Sequence, residues 1–435
     1  MRTHYINRSV AFAFGLFLIS FVSNAQTKKN AIALINAVAH IGNGETIESC
    51  LITIKNDKIE SVQSVKGVRL DPRSFDTIID LSGKHIYPAL INCNNVLGLH
   101  DAFSVRATRD LADVGYLNPH IRSLIAYNTD NKIVPTIKTN GILYTQVTPR
   151  GGLISGNSSI LALEGWNWED AVLKEDDGVH INFPELSERS GDDGSDEKNS
   201  KRYNEDMNNL SKFFDDAKAY NNEATHTEKN IRFDAMKGVL DGTKNLYIHT
   251  DKAKDILTAI AFSKKHNIKK PVLVGAKECY KVTKEIKKNN IPVMLVRVHD
   301  LPDKADDDID AVYKLPSILQ KEGILFTLQT AGDSEMEAMN SRNLPFLAGS
   351  AVTYGLTKEE ALTSVTLNTA KILGVDKWIG SLEAGKLASL VVSEGDILDM
   401  KTSIITSAYI SGKPVNLVNQ QTELYLKYKT KYGIK

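Results

Sequence analysis

The chain has 435 residues, 42% of them hydrophobic and 24% charged, with 53 basic side chains against 53 acidic ones. That is the composition of an ordinary folded protein long enough for two domains, and it gives no electrostatic reason to expect nucleic acid or an anionic membrane as a partner. Three cysteines, Cys50, Cys93 and Cys279, are too few and too widely spaced for a disulfide framework or a zinc finger, and they read as small buried hydrophobes.

The first 25 residues read as a signal peptide. Arg2 and Arg8 precede an apolar run from Val10 to Val22, and Ser23-Asn24-Ala25 is a small-x-small cleavage pattern. Cleavage would leave Gln26 first and take the net charge from 0 to −2. The apolar run is short for a bilayer span, so no integral membrane anchor is expected. The expected location is exported, periplasmic or secreted.

From residue 31 the pattern is short apolar runs broken by turn residues. Ala31–Ala37, Cys50–Ile54, Lys58–Val62 and Thr77–Leu81 read as strands of a small antiparallel sheet, with Gly42-Asn43-Gly44 and Asn56-Asp57 as turns. Residues 83–96 then form a turn, a buried strand entered at Pro88, and a polar end at Asn92, Asn94 and Asn95. Further strands are read at Gly141–Val147, Ser159–Leu163, Val179–Phe183, Asn245–His249, Pro271–Val274, Pro292–Val298 and Ile324–Gln329. Helical stretches fill gaps at Ala253–His266, Lys277–Asn289, Asp308–Glu322 and Lys358–Leu373. With the strand after Pro88 this makes an eight-stranded α/β barrel, a (β/α)8 TIM-like fold. Residues 185–230 interrupt the rhythm. Glu188–Asn209 has no apolar period and reads as a solvated insertion ahead of a helix near 207–240. Leu390–Val392, Ile404–Ile410 and Lys413–Leu417 read as returning strands, and residues 421–435 as a basic, tyrosine-containing helical tail.

The segment Pro88-Ala89-Leu90-Ile91-Asn92-Cys93-Asn94-Asn95-Val96 resembles the first barrel strand of the amidohydrolase superfamily, above all its imidazolonepropionase-like members. Their pattern is Pro-Gly-Leu-Ile-Asp-x-His-x-His. Gly380-Ser381-Leu382-Glu383-Ala384-Gly385-Lys386 is similar to the family's Gly-Ser-Leu-Glu-Pro-Gly-Lys segment. Thr366-Leu367-Asn368-Thr369-Ala370-Lys371-Ile372-Leu373-Gly374 resembles its Thr-x-Asn-Pro-Ala-x-x-Leu-Gly signature. The resemblance implies residues 26–90 plus 375–420 as one β-sandwich built from both chain ends, and residues 91–374 as the barrel.

It also implies chemistry. The family hydrolyses carbon–nitrogen bonds other than peptide bonds with a divalent metal that lowers the pKa of a bound water. Its ligands are two histidines on strand 1, a carboxylated lysine or glutamate on strand 4 in some members, histidines on strands 5 and 6, and an aspartate on strand 8. Here Asn94 and Val96 stand at the strand-1 histidines, His249 matches strand 5, strand 6 ends without a histidine, and Asp333 lies a few residues beyond the strand-8 position. The candidate set is therefore His249, Asp333 and His299 as catalytic residues, His249 and Asp333 as metal ligands, and Arg150 and Asn94 as substrate-binding residues. Such a site would hold at most one weakly bound divalent ion, zinc by resemblance. Arg150 opens the glycine-rich run Arg150-Gly151-Gly152, which is either a carboxylate-binding loop or a tight turn. Trp166 and Trp168 either wall a pocket or belong to the core. His120 and His180 read as structural. The expectation is an exported hydrolase with a degraded metal site and weak or no catalysis. The alternative is a non-catalytic protein that binds a small molecule or regulates an intact relative. A homo-oligomer or such a relative is the expected protein partner.

Overall fold

Asn36 and Asn56 take left-handed backbone (φ 68° and 57°), a conformation asparagine tolerates. They mark turns after β1 (Ala31–Ile35) and between β4 (Cys50–Lys55) and β5 (Lys58–Ser64). With β6 (Thr77–Asp80) these strands make a four-stranded sheet ordered β5-β4-β1-β6. A second sheet joins the two chain ends. Its strands are β2 (Val38–His40), β3 (Thr46–Ile47), β7 (His85–Pro88), β16 (Leu390–Ser393), β17 (Ile405–Ile410) and β18 (Lys413–Pro414). The order is β18-β17-β16-β7-β2-β3, and β7 runs antiparallel to β16 from Pro88↔Leu390 to His85↔Ser393. Leu34, Ile52 and Ile54 from the first sheet and Ile86, Leu390 and Val392 from the second are buried in one apolar cluster, so the sheets pack face to face. This computed structural model describes residues 31–186, 195–223, 225–303, 306–332 and 336–434, and the signal-peptide reading lies outside them.

The barrel follows directly from β7. Its eight strands are β8 (Leu90–Asn95), β9 (Ile142–Val147), β10 (Ile154–Ala162), β11 (Val172–Asn182), β12 (Asn245–Thr250), β13 (Pro271–Gly275), β14 (Val293–Leu295) and β15 (Phe326–Leu328). They lie side by side in chain order. The edge strands β8 and β15 meet through side chains: Asn94 Nδ2 donates to Gln329 Oε1 at 2.5 Å and Asn92 Nδ2 to Thr330 Oγ1 at 3.2 Å. The alternation departs from a regular (β/α)8 pattern at one place. Strand β10 is antiparallel to both β9 and β11. Loop 148–153 explains this, because a parallel return needs a crossover of about a dozen residues or more.

The polar stretch after residue 194 corrects the sequence reading. Residues expected to be a solvated insertion belong to a helix spanning Ser195–Asn222, followed by a separate helix, Ile231–Asp241, rather than one helix near 207–240. Leu210, Phe213, Phe214 and Ala217 recur at helical spacing and are buried, anchoring the second half of the first helix. Phe214 meets Phe262 edge-on at 5.1 Å. The tail forms an exposed helix, Gln420–Tyr432. No helix among the described residues is long and apolar enough to cross a membrane.

The barrel helix Leu344–Thr353 touches the loop after β16 through Gly349, where an added Cβ would stand 2.1 Å from the Leu398 carbonyl oxygen. Backbone cannot yield cheaply there. Gly349→Ala should cost about 1–2 kcal/mol in urea denaturation through overpacking, and an unchanged midpoint would show that this seam is loose.

Candidate functional site at the barrel mouth

The C-terminal ends of the strands open on a cavity of about 620 Å³ whose walls include Asn94, Arg150, Glu185, His249, Asp251 and Glu337. This is the end of a barrel where catalytic and binding side chains gather. Arg150 dominates one wall. The loop that carries it turns at Gly151 and Gly152 (φ 84° and 65°), and a Cβ on Gly152 would lie 2.9 Å from the Tyr116 carbonyl oxygen. Two of the loop amides are spent on the protein itself: Arg150 N–H on Leu111 O at 2.7 Å and Leu153 N–H on Tyr116 O at 2.7 Å. The glycines build a tight turn that delivers the Arg150 side chain to the cavity. The Arg150 guanidinium donates to Asn94 Oδ1 at 3.0 Å, to Asn94 O at 2.9 Å and to Glu337 Oε1 at 2.6 Å. Asn94 is buried with φ 48°, and its own N–H is taken by Gln146 Oε1 at 2.9 Å. Val96 is buried and apolar.

His249 ends a chain of hydrogen bonds running into the barrel. Its Nε2 lies 2.9 Å from His180 Nδ1, and His180 Nε2 lies 2.9 Å from Ser158 Oγ. Ser158 donates to Asp177 Oδ1 at 2.7 Å, and Asp177 also accepts from Gln146 and from Tyr247. With the Ser158 proton committed to Asp177, His180 donates through Nε2 and accepts at Nδ1, so His249 donates through Nε2. Burial, with Arg150 nearby, holds the His249 imidazole down to about 3. Burial likewise holds His180 well below its ordinary value, the neighbouring His249 and Arg150 adding to the effect. Both shifts favour the neutral rings. Burial pushes the Asp177 carboxyl up, against the pull of its three hydrogen-bond donors and of Lys174.

The opposite wall is acidic. Asp251 follows β12, and its backbone N–H donates to Glu185 Oε1 at 3.0 Å. Burial first, then the Glu185 charge, raise the Asp251 carboxyl to about 6. Glu185 is also raised, mainly by desolvation, though its side chain reaches the solvent edge.

Of the residues singled out from sequence, Asn94, Arg150 and His249 meet in this cavity. His299 is exposed, its Nε2 sits 2.6 Å from Ser350 Oγ, and it does not join the cavity lining. Asp333 lies outside the described residues. Glu337, His180, Asp177, Glu185 and Asp251 were missed as site residues. Asp251 carried a usable signal, standing two residues beyond His249 at the same strand end.

The described residues do not assemble the metal centre that the barrel's resemblance implies, and Asp333 lies outside them. Asn94 is spent on Arg150 and Gln329, and His249 Nε2 is spent on His180. No group of three or more His, Cys, Asp or Glu among the described residues is placed to hold an ion. The positive charge at the mouth is a guanidinium.

An eight-stranded barrel with a polar mouth, flanked by a sandwich from both chain ends, is the class of α/β-barrel proteins whose working site lies at the strand ends. The chain belongs to the amidohydrolase family, whose description matches residues 198–417. It is 40% identical to an adenine deaminase of Methanococcoides burtonii over 65 residues, covering 15% of this chain and 10% of that protein. It is 39% identical to an imidazolonepropionase of Pseudomonas paraeruginosa over 84 residues, covering 19% of this chain and 20% of the relative. These matches span a fifth or less of the curated relatives. A crystal structure of an amidohydrolase from Thermotoga maritima superposes with a TM-score of 0.76 at 23% identity, covering 88% of this chain and 99% of that one. That likeness shows the fold.

Proposed function

We propose that this chain is an exported amidohydrolase-family protein that binds a small polar molecule at its barrel mouth without a hydrolytic metal. In this reading it is a ligand-binding or regulatory relative of the intact enzymes, alone, as a homo-oligomer, or with such an enzyme. The observation that carries the reading is Arg150 clamped between Asn94 and Glu337. A guanidinium keeps its charge at all working pH values and has no open coordination position, so it cannot turn water into a nucleophile as a bound metal does. The leader-like residues 1–25 support export.

One observation favours a second reading, hydrolysis of a carbon–nitrogen bond other than a peptide bond. Asp251, held at about 6, suits a general base that takes a proton from water. The two readings separate in one assay. Mature protein is incubated with N-acyl amino acids and cyclic amides, with and without added zinc, beside Asp251→Asn. The binding reading expects no turnover above background in any arm. Zinc-independent turnover lost in Asp251→Asn would establish the second reading, and zinc-dependent turnover would sink both.

A further inference from the structure

We infer that the tail helix, Gln420–Tyr432, is a docking element for an anionic lipid surface. The inference is independent of what the barrel mouth binds. The charges of the chain balance overall, but not here: residues 418–435 hold four lysines and one acid, Glu423. The helix is capped at both ends, by Asn419, whose Oδ1 accepts the Thr422 N–H at 2.8 Å, and by Gly433 in left-handed backbone (φ 62°). None of its 13 residues is buried. It meets the barrel in its first turn, where Thr136 Oγ1 donates to Gln421 Oε1 at 3.1 Å. A helix of this length with no packed face is marginal in water. A surface laid against one face would supply the packing that the barrel does not.

The side-chain arrangement says which surface. At 3.6 residues per turn, Leu424, Tyr425, Tyr428 and Tyr432 fall on one arc of about 100°. Leu424 is 43% exposed, and the three tyrosines are 61%, 48% and 65% exposed. Lys429 stands at one edge of the arc, and Lys427 and Lys431 at the other. Each lysine lies by a ring: Lys429 Nζ is 5.9 Å from the Tyr425 centroid, Lys427 Nζ 6.0 Å from that of Tyr428, and Lys431 Nζ 5.1 Å from that of Tyr432. Rings with an apolar body and a polar tip, edged by lysines whose charged heads reach outward, match the boundary between lipid tails and headgroups. Thirteen residues span only about 20 Å, short of the roughly 30 Å of a hydrocarbon core, so the helix would lie along the surface and not cross it. A second copy of the chain is a poor occupant. Paired tails would bring three lysines from each copy together against one glutamate from each. Anionic headgroups remove that repulsion, and each lysine near them favours the bound state roughly fivefold.

The test uses the full mature protein and sedimentation with vesicles of phosphatidylcholine containing about one quarter phosphatidylglycerol, beside vesicles of pure phosphatidylcholine. The protein should sediment with the anionic vesicles. Partitioning should be about tenfold or more weaker on pure phosphatidylcholine, and should fall on the anionic vesicles as salt is raised. The triple variant Lys427→Gln, Lys429→Gln and Lys431→Gln should lose about tenfold or more, and Tyr428→Ser with Tyr432→Ser should also weaken binding. These side chains are exposed, so both variants should keep the melting temperature of the unaltered protein. On the unaltered protein, tryptic cleavage after Lys427, Lys429 and Lys431 should slow when anionic vesicles are added, which locates the contact in the tail. Equal binding to both vesicle types, full binding by the lysine variant, or unprotected cleavage in the tail would overturn the inference. So would a dimer in vesicle-free solution that the tyrosine variant dissolves, since the arc would then belong to a second copy.

Discussion

Arg150→Met should lower the unfolding free energy by about 3–5 kcal/mol, the cost of taking the guanidinium away from the buried Glu337 carboxylate. The Glu337 side chain is 7% exposed and its Oε1 lies 2.6 Å from the guanidinium. Methionine keeps most of the apolar stem but supplies no donor for Glu337 or for the Asn94 carbonyl. Glu337 Oε1, Asn94 Oδ1, Asn94 O and Thr148 O then all lose a charged donor. The double variant Arg150→Met with Glu337→Gln should recover much of the loss, because the carboxylate charge is gone; the double-mutant cycle measures the coupling directly. Urea denaturation of the four proteins is the readout. A loss under about 1 kcal/mol in the single variant would mean that Arg150 behaves as a surface loop residue, and the organisation of the mouth described above would be wrong.

Asp251→Asn should do the opposite, and its effect should depend on pH. The folded protein holds this carboxyl at about 6, above its ordinary 3.8. A raised carboxyl contributes stability below the unfolded value and loses it as pH rises through the folded one. Above about pH 6 the ionised carboxylate is therefore a liability, worth at most about 3 kcal/mol for a shift of this size. The asparagine variant has no charge to lose. It should melt higher than the unaltered protein at neutral pH and converge with it below about pH 4. Melting temperatures of both proteins across that range decide the matter. Parallel curves would show Asp251 to be an ordinary solvated carboxylate. A residue that lowers stability at working pH is characteristic of a functional site.

The sequence was most legible where local chemistry and burial agree. The strand start after Pro88 and the glycine-rich turn at residues 150–152 reflect steric rules that hold whatever the tertiary context, whereas the strand runs on through Asn92 and Asn94 to Asn95 despite their weak strand propensity. The reversed strand β10 was harder to read, because an apolar run does not state its direction and only the short loop 148–153 betrays it. The helix from Ser195 was misread because its charged half has no apolar stripe; it continues from a half anchored by Leu210 and Phe214. In the site, His249 was visible from its place at a strand end. Its lowered pKa was not, since that follows first from burial in the folded barrel and then from Arg150, far away in sequence. Glu337 was invisible for the same reason: its partner lies 187 positions earlier in the chain.

Metal content of the purified mature protein tests the central claim most directly. Mass spectrometry after dialysis against zinc should find well under one tightly held ion per chain, and a chelator should leave the melting temperature unchanged. Stoichiometric zinc held through dialysis, lost together with stability on chelation and abolished by His249→Ala, would contradict the account.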